Sequence, residues 1–207
     1  MLGLHPRFFD LAALLDLAVS HLLLRPIPSD VTLDSIRVLL LYAQWMPCSQ
    51  SGEENNEDSE LTESARLPTN RYNDISAWAM LGLAARYAVI LGLDRTAILP
   101  FEGPQERVSE EDISRLRVWY NLLTCDWNLM LSSALPATLD PAGAASVSRA
   151  FGCHRIAQQP NDLRYSALIE LAMISHRTLG TKREFSARRL DATGLRKVNI
   201  ALQDWER

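Results

Sequence analysis

Apolar residues recur every three or four positions through most of the chain, and period-two alternation between turn signals is missing. The pattern therefore predicts helices throughout. Phe8, Leu11, Leu15, Ala18 and Leu22 mark a first amphipathic helix, ended by Pro26 and Pro28. Ser29 or Asp30 can cap a second, with Leu33, Ile36, Leu40, Ala43 and Trp45 facing inward and Pro47 stopping it. A central helix begins near Asn73 or Asp74 and contains Trp78–Arg95, WAMLGLAARYAVILGLDR, in which only Arg86 interrupts the apolar run before Asp94. It is apolar almost all round, so both faces are expected to be covered. Gly82 lowers helix propensity by about 1 kcal/mol, and its lack of a side chain would let a neighbouring helix approach closely. Gly92 suits the left-handed position that ends a helix.

Ser109-Glu110-Glu111-Asp112 forms a helix start, with a hydroxyl for the first backbone N–H groups and acids at the positive end of the helix. Ile113, Leu116, Tyr120, Leu123, Trp127 and Met130 then follow three/four spacing and form the packing stripe. Pro136 and Pro141 close that region. Leu163–Leu179 reads as another helix with Ala167, Leu168, Leu171, Ala172 and Ile174 inside, and Asp191–Trp205 as one more. Residues 49–70 begin SQSGEENNEDSELTES, acidic, polar and free of aromatics, and are expected to form a mobile loop. Such a run is usually a solvated linker, with a contact surface as the alternative. No fixed-period repeat is visible. The prediction is one all-α domain over 1–207, an array of antiparallel helical hairpins. The helical pattern still runs at Arg207, so a fragment of a larger helical domain is expected.

Composition narrows the function classes. With 207 residues and 47% hydrophobic content the chain can build a core. Its net charge of −4 argues against nucleic-acid binding through bulk electrostatics, which needs a basic face. The cysteines, Cys48, Cys125 and Cys153, are sparse and odd in number, as for reduced thiols in a cytosolic or nuclear compartment. Met1–Leu24 carries His5, Arg7, Asp10, Asp16 and His21 and lacks the clean apolar core of a signal peptide. No run of eighteen uncharged apolar residues exists, so no membrane span is expected.

Chemical motifs are few. Cys153 and His154 are adjacent, but no partner pair follows at zinc spacing; a small buried thiol beside an exposed imidazole is expected. There is no Gly-x-Ser-x-Gly elbow and no glycine-rich phosphate loop. Cys125 sits mid-helix as core filler, and Glu110-Glu111-Asp112 is explained by capping. No catalytic, cofactor-binding or metal-ligating residue is assigned, and no enzyme is expected. An all-α enzyme, such as a terpene-cyclase-like bundle, would need an acidic metal-binding motif on a helix facing a cavity, whereas the acidic runs lie in a loop and a cap. Arg86 and Asp126 each sit inside an apolar stretch. Either they pair between the two central helices, or each reaches the surface, Arg86 by snorkelling its stem.

Two stretches together resemble the regulatory helical region of fungal binuclear-zinc-cluster transcription factors. The first matches at Trp78, Gly82, Ala84, Arg86, Ala88, Leu91, Gly92, Leu93 and Arg95, with Asp94 at the usual histidine position. The second matches at Arg115, Arg117, Trp119, Leu122, Leu123, Asp126, Ser132 and Pro136, and departs at Ala134 and Leu135, where Gly-Arg is usual, and at Trp127, where Arg is common. Val31–Trp45 looks like the helix preceding this core, and the resemblance spans roughly residues 8 to 180. It implies an all-α nuclear regulatory domain, the middle homology region, controlling RNA polymerase II transcription of metabolic genes; the loop arrangement resembles that of regulators of amino-acid catabolism. It implies a co-regulator protein or small-molecule effector as partner, and family members are often homodimers. The family reads DNA through a separate N-terminal six-cysteine cluster holding two zinc ions. That cluster is absent from these residues, so neither zinc nor DNA contact is assigned to them. A helical protein-interaction scaffold without a transcriptional role is the alternative.

Overall fold

The computed structural model describes residues 14, 15, 17–22, 31–45, 74–133, 136–179 and 192–206, with the side chains of 45, 74–76, 133 and 179 excepted. The acidic stretch 49–70 and the expected caps Ser29 and Asp30 lie outside these residues. Among the described residues there are nine α-helices with defined bounds, a further helical stretch at 17–22, one 3-10 turn and no strand, so the chain is all-α as its pattern predicts.

Helix α1 spans Leu33–Trp45. Thr32 starts it, because its hydroxyl accepts from Ser35 N while the Ser35 hydroxyl accepts from Thr32 N, both at 3.3 Å. Ile36, Leu39, Leu40 and Ala43 are buried, and Leu33 is half-buried against them. Before α1, residues 17–22 are helical, and Val19 is buried where Ala18 was expected to be.

Helix α2 spans Asp74–Ile90. It buries Leu81, Ala84, Ala85, Tyr87 and Ala88, but Val89 and Ile90 are 60% and 64% exposed. The expectation that both faces are covered fails. A nearly uniform apolar helix has no preferred face of its own, so its neighbours choose which side is buried. Gly82 admits no neighbouring helix either: a Cβ there would meet only the Arg86 guanidinium, at 3.4 Å. Gly92 behaves as predicted, with φ of 61°, and the chain bends by 72° between Ala77–Ile90 and Leu93–Glu102.

Two short helices follow, α3 (Leu93–Thr96) and α4 (Leu99–Glu102), then a 3-10 turn at Gln105–Arg107. The long α5, Glu110–Ser133, opens on a reciprocal cap: Asp112 N donates to Ser109 Oγ at 3.2 Å and Ser109 N to Asp112 Oδ2 at 2.9 Å. Its whole predicted stripe is buried, each residue 2% exposed or less. Helices α6 (Ala142–Ser146), α7 (Ser148–Gly152), α8 (Asn161–Leu179) and α9 (Ala192–Trp205) complete the fold.

Helix α5 organises the rest. Arg37 and Gln44 of α1 bond Ser114 and Asn121 of α5, so these helices run in the same direction. Asp162 and His176 of α8 meet Arg117 and Trp127, so α8 is also parallel to α5. Helix α2 enters beside the end of α5 and hands over to α3, which packs on α5, and to α4, whose Phe101 reaches the middle of α5 through Phe151; α2 runs the opposite way to α5. Tyr120 packs edge-on against Phe151 at 5.0 Å and Phe101 against Phe151 at 5.9 Å. The Tyr120 hydroxyl donates to Ala144 O at 2.8 Å, and burial pushes its pKa far upward.

Helix α8 departs from its predicted face. Ile169 and Ala172 are buried, together with Ser166, whereas Ala167, Leu168, Leu171 and Ile174 are only half-buried. It is covered by α5 and α7 and more lightly by α9, which has no buried residue. Among the described residues no single helix is long and apolar enough to cross a membrane.

The two glycines of α2 and its exit should respond oppositely to alanine. At Gly92 a Cβ meets only Thr96 Cγ2 at 3.8 Å, so the penalty is conformational. Gly92→Ala should lower stability by roughly 1–2 kcal/mol. Gly82→Ala should raise it by about 0.5–1 kcal/mol, because the site is helical and only half-buried. Denaturant titration of the two variants measures both signs.

Candidate functional site

Three residues of the two motifs, Trp78, Asp126 and Pro136, meet at one end of α5, and a fourth, Arg117, lines a cleft on its flank. The first place is the segment 136–139 that leaves the helix. Trp78 Nε1 donates to Pro136 O at 3.1 Å, Trp127 Nε1 to Leu139 O at 3.2 Å, and Asp126 Oδ2 accepts from Thr138 N at 2.6 Å and Leu139 N at 2.9 Å. Asp126 thus folds the chain back onto the helix. Burial raises its pKa, and the hydrogen bonds from Leu139 and Thr138 offset only part of that rise.

Arg86 takes no part. It is exposed on α2 and donates to Gly82 O of its own helix at 3.0 Å. The Arg86–Asp126 pair is therefore not formed, and of the two readings surface snorkelling describes Arg86. Asp126 does not reach the surface either, being 3% exposed; two backbone N–H groups replace the cation as its partners. Among the other motif residues, Leu93 and Trp119 are buried in the core, Leu91 packs at its edge, and Arg95 is exposed. The Trp119 indole N–H is buried with no acceptor among the described residues.

The second place is a cleft of about 730 Å³ between α1, α5 and the start of α8. Arg117 makes a bidentate bond to Asp162, Nε to Oδ1 at 2.8 Å and Nη2 to Oδ2 at 2.7 Å, and Gln158 N adds a third donor at 2.7 Å. Asp162 is 1% exposed. Arg37 bridges Asp34 and Ser114, each at 2.6 Å. Arg164 also lines the cleft and has no ion-pair partner among the described residues. Leu40, Leu41, Val118 and Leu168 supply apolar wall.

A neighbouring chamber of about 520 Å³ shares Gln44, Asn121, Tyr165 and Leu168 with the cleft and continues past Ala43, Leu81 and Leu129. Gln44 Nε2 donates to Asn121 Oδ1 at 2.9 Å and also contacts Cys125 Sγ, forming a polar crossbar on the shared wall. Burial lifts the Cys125 thiol to about 11, so it is protonated at neutral pH. Burial likewise raises Tyr165, with smaller upward contributions from Cys125 and Asp162, so its hydroxyl is a donor there.

Sequence reading singled out Arg117 but missed Asp162, Arg37, Gln44 and Tyr165. The available signal was Asp162 in the first turn of a helix, one residue before the predicted start at Leu163. The Cys153-His154 pair is inverted from expectation: Cys153 is exposed and His154 buried. Ile156 N donates to His154 Nδ1 at 3.4 Å, which leaves Nε2 as the donor to Gln105 O at 3.0 Å. No group of three metal-ligating side chains occurs among the described residues. The arrangement offers fixed cations, amides and a phenol beside apolar wall, which is chemistry for binding an anion.

Comparison with known proteins gives no match to any family model, curated protein or solved structure.

Two variants test these corners. Asp126→Ala should destabilise by about 2–3 kcal/mol, since it strands two backbone donors. Asp126→Asn keeps an acceptor and loses the charge. Because the folded-state pKa is raised, the aspartate contributes most below the ordinary carboxylate range and loses that contribution as pH climbs through the raised value. Asp126→Asn should therefore gain on wild type as pH rises above the ordinary carboxylate range, read in denaturant titrations. Arg117→Ala should cost roughly 3 kcal/mol by leaving Asp162 buried and unpaired, and Asp162→Asn in the same background should recover most of it, as read by thermal melting.

Proposed function

We propose that this chain is an all-α regulatory domain of the middle-homology type, belonging to a nuclear transcription factor of the zinc-cluster class that controls metabolic genes. The observation supporting this most directly is the contact between motif residues of two separate stretches, Trp78 with Pro136, at the chain segment that Asp126 folds back onto α5. Residues shared with the family pattern thus form one structural joint between α2, α5 and the chain that leaves it. In this reading the domain is a switch rather than an enzyme, and its helix packing is biased by an effector or co-regulator. Zinc binding and DNA contact belong to a separate element of the regulator, and effector recognition to the cleft beside Arg117.

A scaffold reading has one observation in its favour. Helix α9 buries no residue and exposes Leu195, Ile200 and Trp205, as a helix that docks a protein would.

Fusing the chain to a neutral DNA-binding domain separates the two. The regulatory reading expects reporter output to change with nutrient condition, and Asp126→Ala to abolish the change. Output that stays flat under every nutrient condition sinks it.

A further inference from the structure

We propose that the cleft and its neighbouring chamber form one binding site for a small monocarboxylate with an apolar tail. The site rests on the regulatory reading only for its purpose; its existence follows from the lining.

Three arginines, Arg37, Arg117 and Arg164, line the cleft against one carboxylate among its described lining residues, Asp162. That carboxylate is withdrawn: it is 1% exposed and accepts from Arg117 and from Gln158 N. A ligand anion therefore meets the outer edge of Arg117 rather than Asp162. Arg117 spends Nε and one Nη2 hydrogen on Asp162, so its Nη1 hydrogens remain to donate. Arg164 has no ion-pair partner among the described residues and is exposed, as a group that meets its partner only on binding would be.

The charge to be bound is small. Arg37 already shares its charge with Asp34, and Arg117 with Asp162. The uncompensated charge matches a single carboxylate better than a phosphate dianion. Ser114, Asn121 and the Tyr165 hydroxyl lie in the same lining and can complete the carboxylate's hydrogen bonds.

The rest of the lining fixes the tail. Leu40, Leu41, Val118 and Leu168 provide the cleft's wall, and Ala43, Leu81 and Leu129 continue it in the second chamber. The Gln44–Asn121 crossbar stands on the shared wall. A short aliphatic or aromatic tail ends at the crossbar, and a longer one must displace it. Gln44 is thus the residue that sets tail length.

Titration calorimetry on the purified full chain tests this with octanoate, decanoate, 3-phenylpropanoate, octanamide, acetate and inorganic phosphate. Octanoate and 3-phenylpropanoate should bind saturably at one per chain, with octanamide at least about tenfold weaker because it lacks the charge. Acetate and phosphate should give no saturable heat. Arg164→Ala should weaken octanoate about tenfold with an unchanged melting temperature, and Arg37→Ala should weaken it in the same sense. Gln44→Ala should shift preference toward decanoate. The proposal is overturned if octanamide or phosphate binds as tightly as octanoate, if Arg164→Ala leaves affinity unchanged, or if no carboxylate binds. Carboxylate binding with a flat reporter removes the transcriptional reading and leaves the site standing; a responsive reporter with no carboxylate binding does the reverse.

Discussion

Burial of the α5 stripe from Ile113 to Met130 is the constraint on which the other features depend. Six large side chains spaced three and four apart must leave water on one side of a 24-residue helix. Helices α1, α2 and α8 all pack on α5. Once the helix is surrounded, the polar residues on its flanks lose water as well, and each needs a protein partner. Arg117 takes Asp162, Asn121 takes Gln44, and Asp126 takes the backbone of Thr138 and Leu139.

Those three pairings set the geometry that carries the functional proposals. The Asp126 cap returns the chain toward α6 and α7 and fixes where Phe151 reaches Tyr120. The Arg117–Asp162 bond fixes the start of α8 against α5, which brings Arg164 and Tyr165 beside the α1 residues Arg37 and Gln44. The cleft is in this sense the polar flank of α5, bounded by helices that its apolar flank recruited. Its cations come from three helices far apart in sequence.

Much of the fold was legible because it is set by local rules. The Ser109–Asp112 cap, the α5 stripe and the left-handed Gly92 all came out as read, since capping groups, three/four spacing and glycine's freedom at positive φ act within a few residues. The faces of α2 and α8 were not legible. Helix α2 is apolar nearly all round, so periodicity could not say that Val89 and Ile90 would stay in water. In α8, Ser166 is buried because its hydroxyl donates to Ser148 O and Asp162 O, an arrangement that hydrophobicity cannot signal. The Cys153-His154 inversion has the same cause: the imidazole is buried because a carbonyl and an amide sit on either side of it.

The sequence by itself determined that this chain is helical, where its central helices start and stop, and that Arg86 and Asp126 sit inside apolar stretches. Only the tertiary structure decided what the charges do. Arg86 and Asp126 were two charges in need of partners, and sequence distance allowed them to pair; folding instead turned Arg86 to solvent and gave Asp126 two backbone donors. Asp162, 45 residues from Arg117 along the chain, became its partner. The physical reason is that local preference depends on a few neighbouring residues, whereas the partner of a buried charge is whichever complementary group the packed helices bring within hydrogen-bond reach.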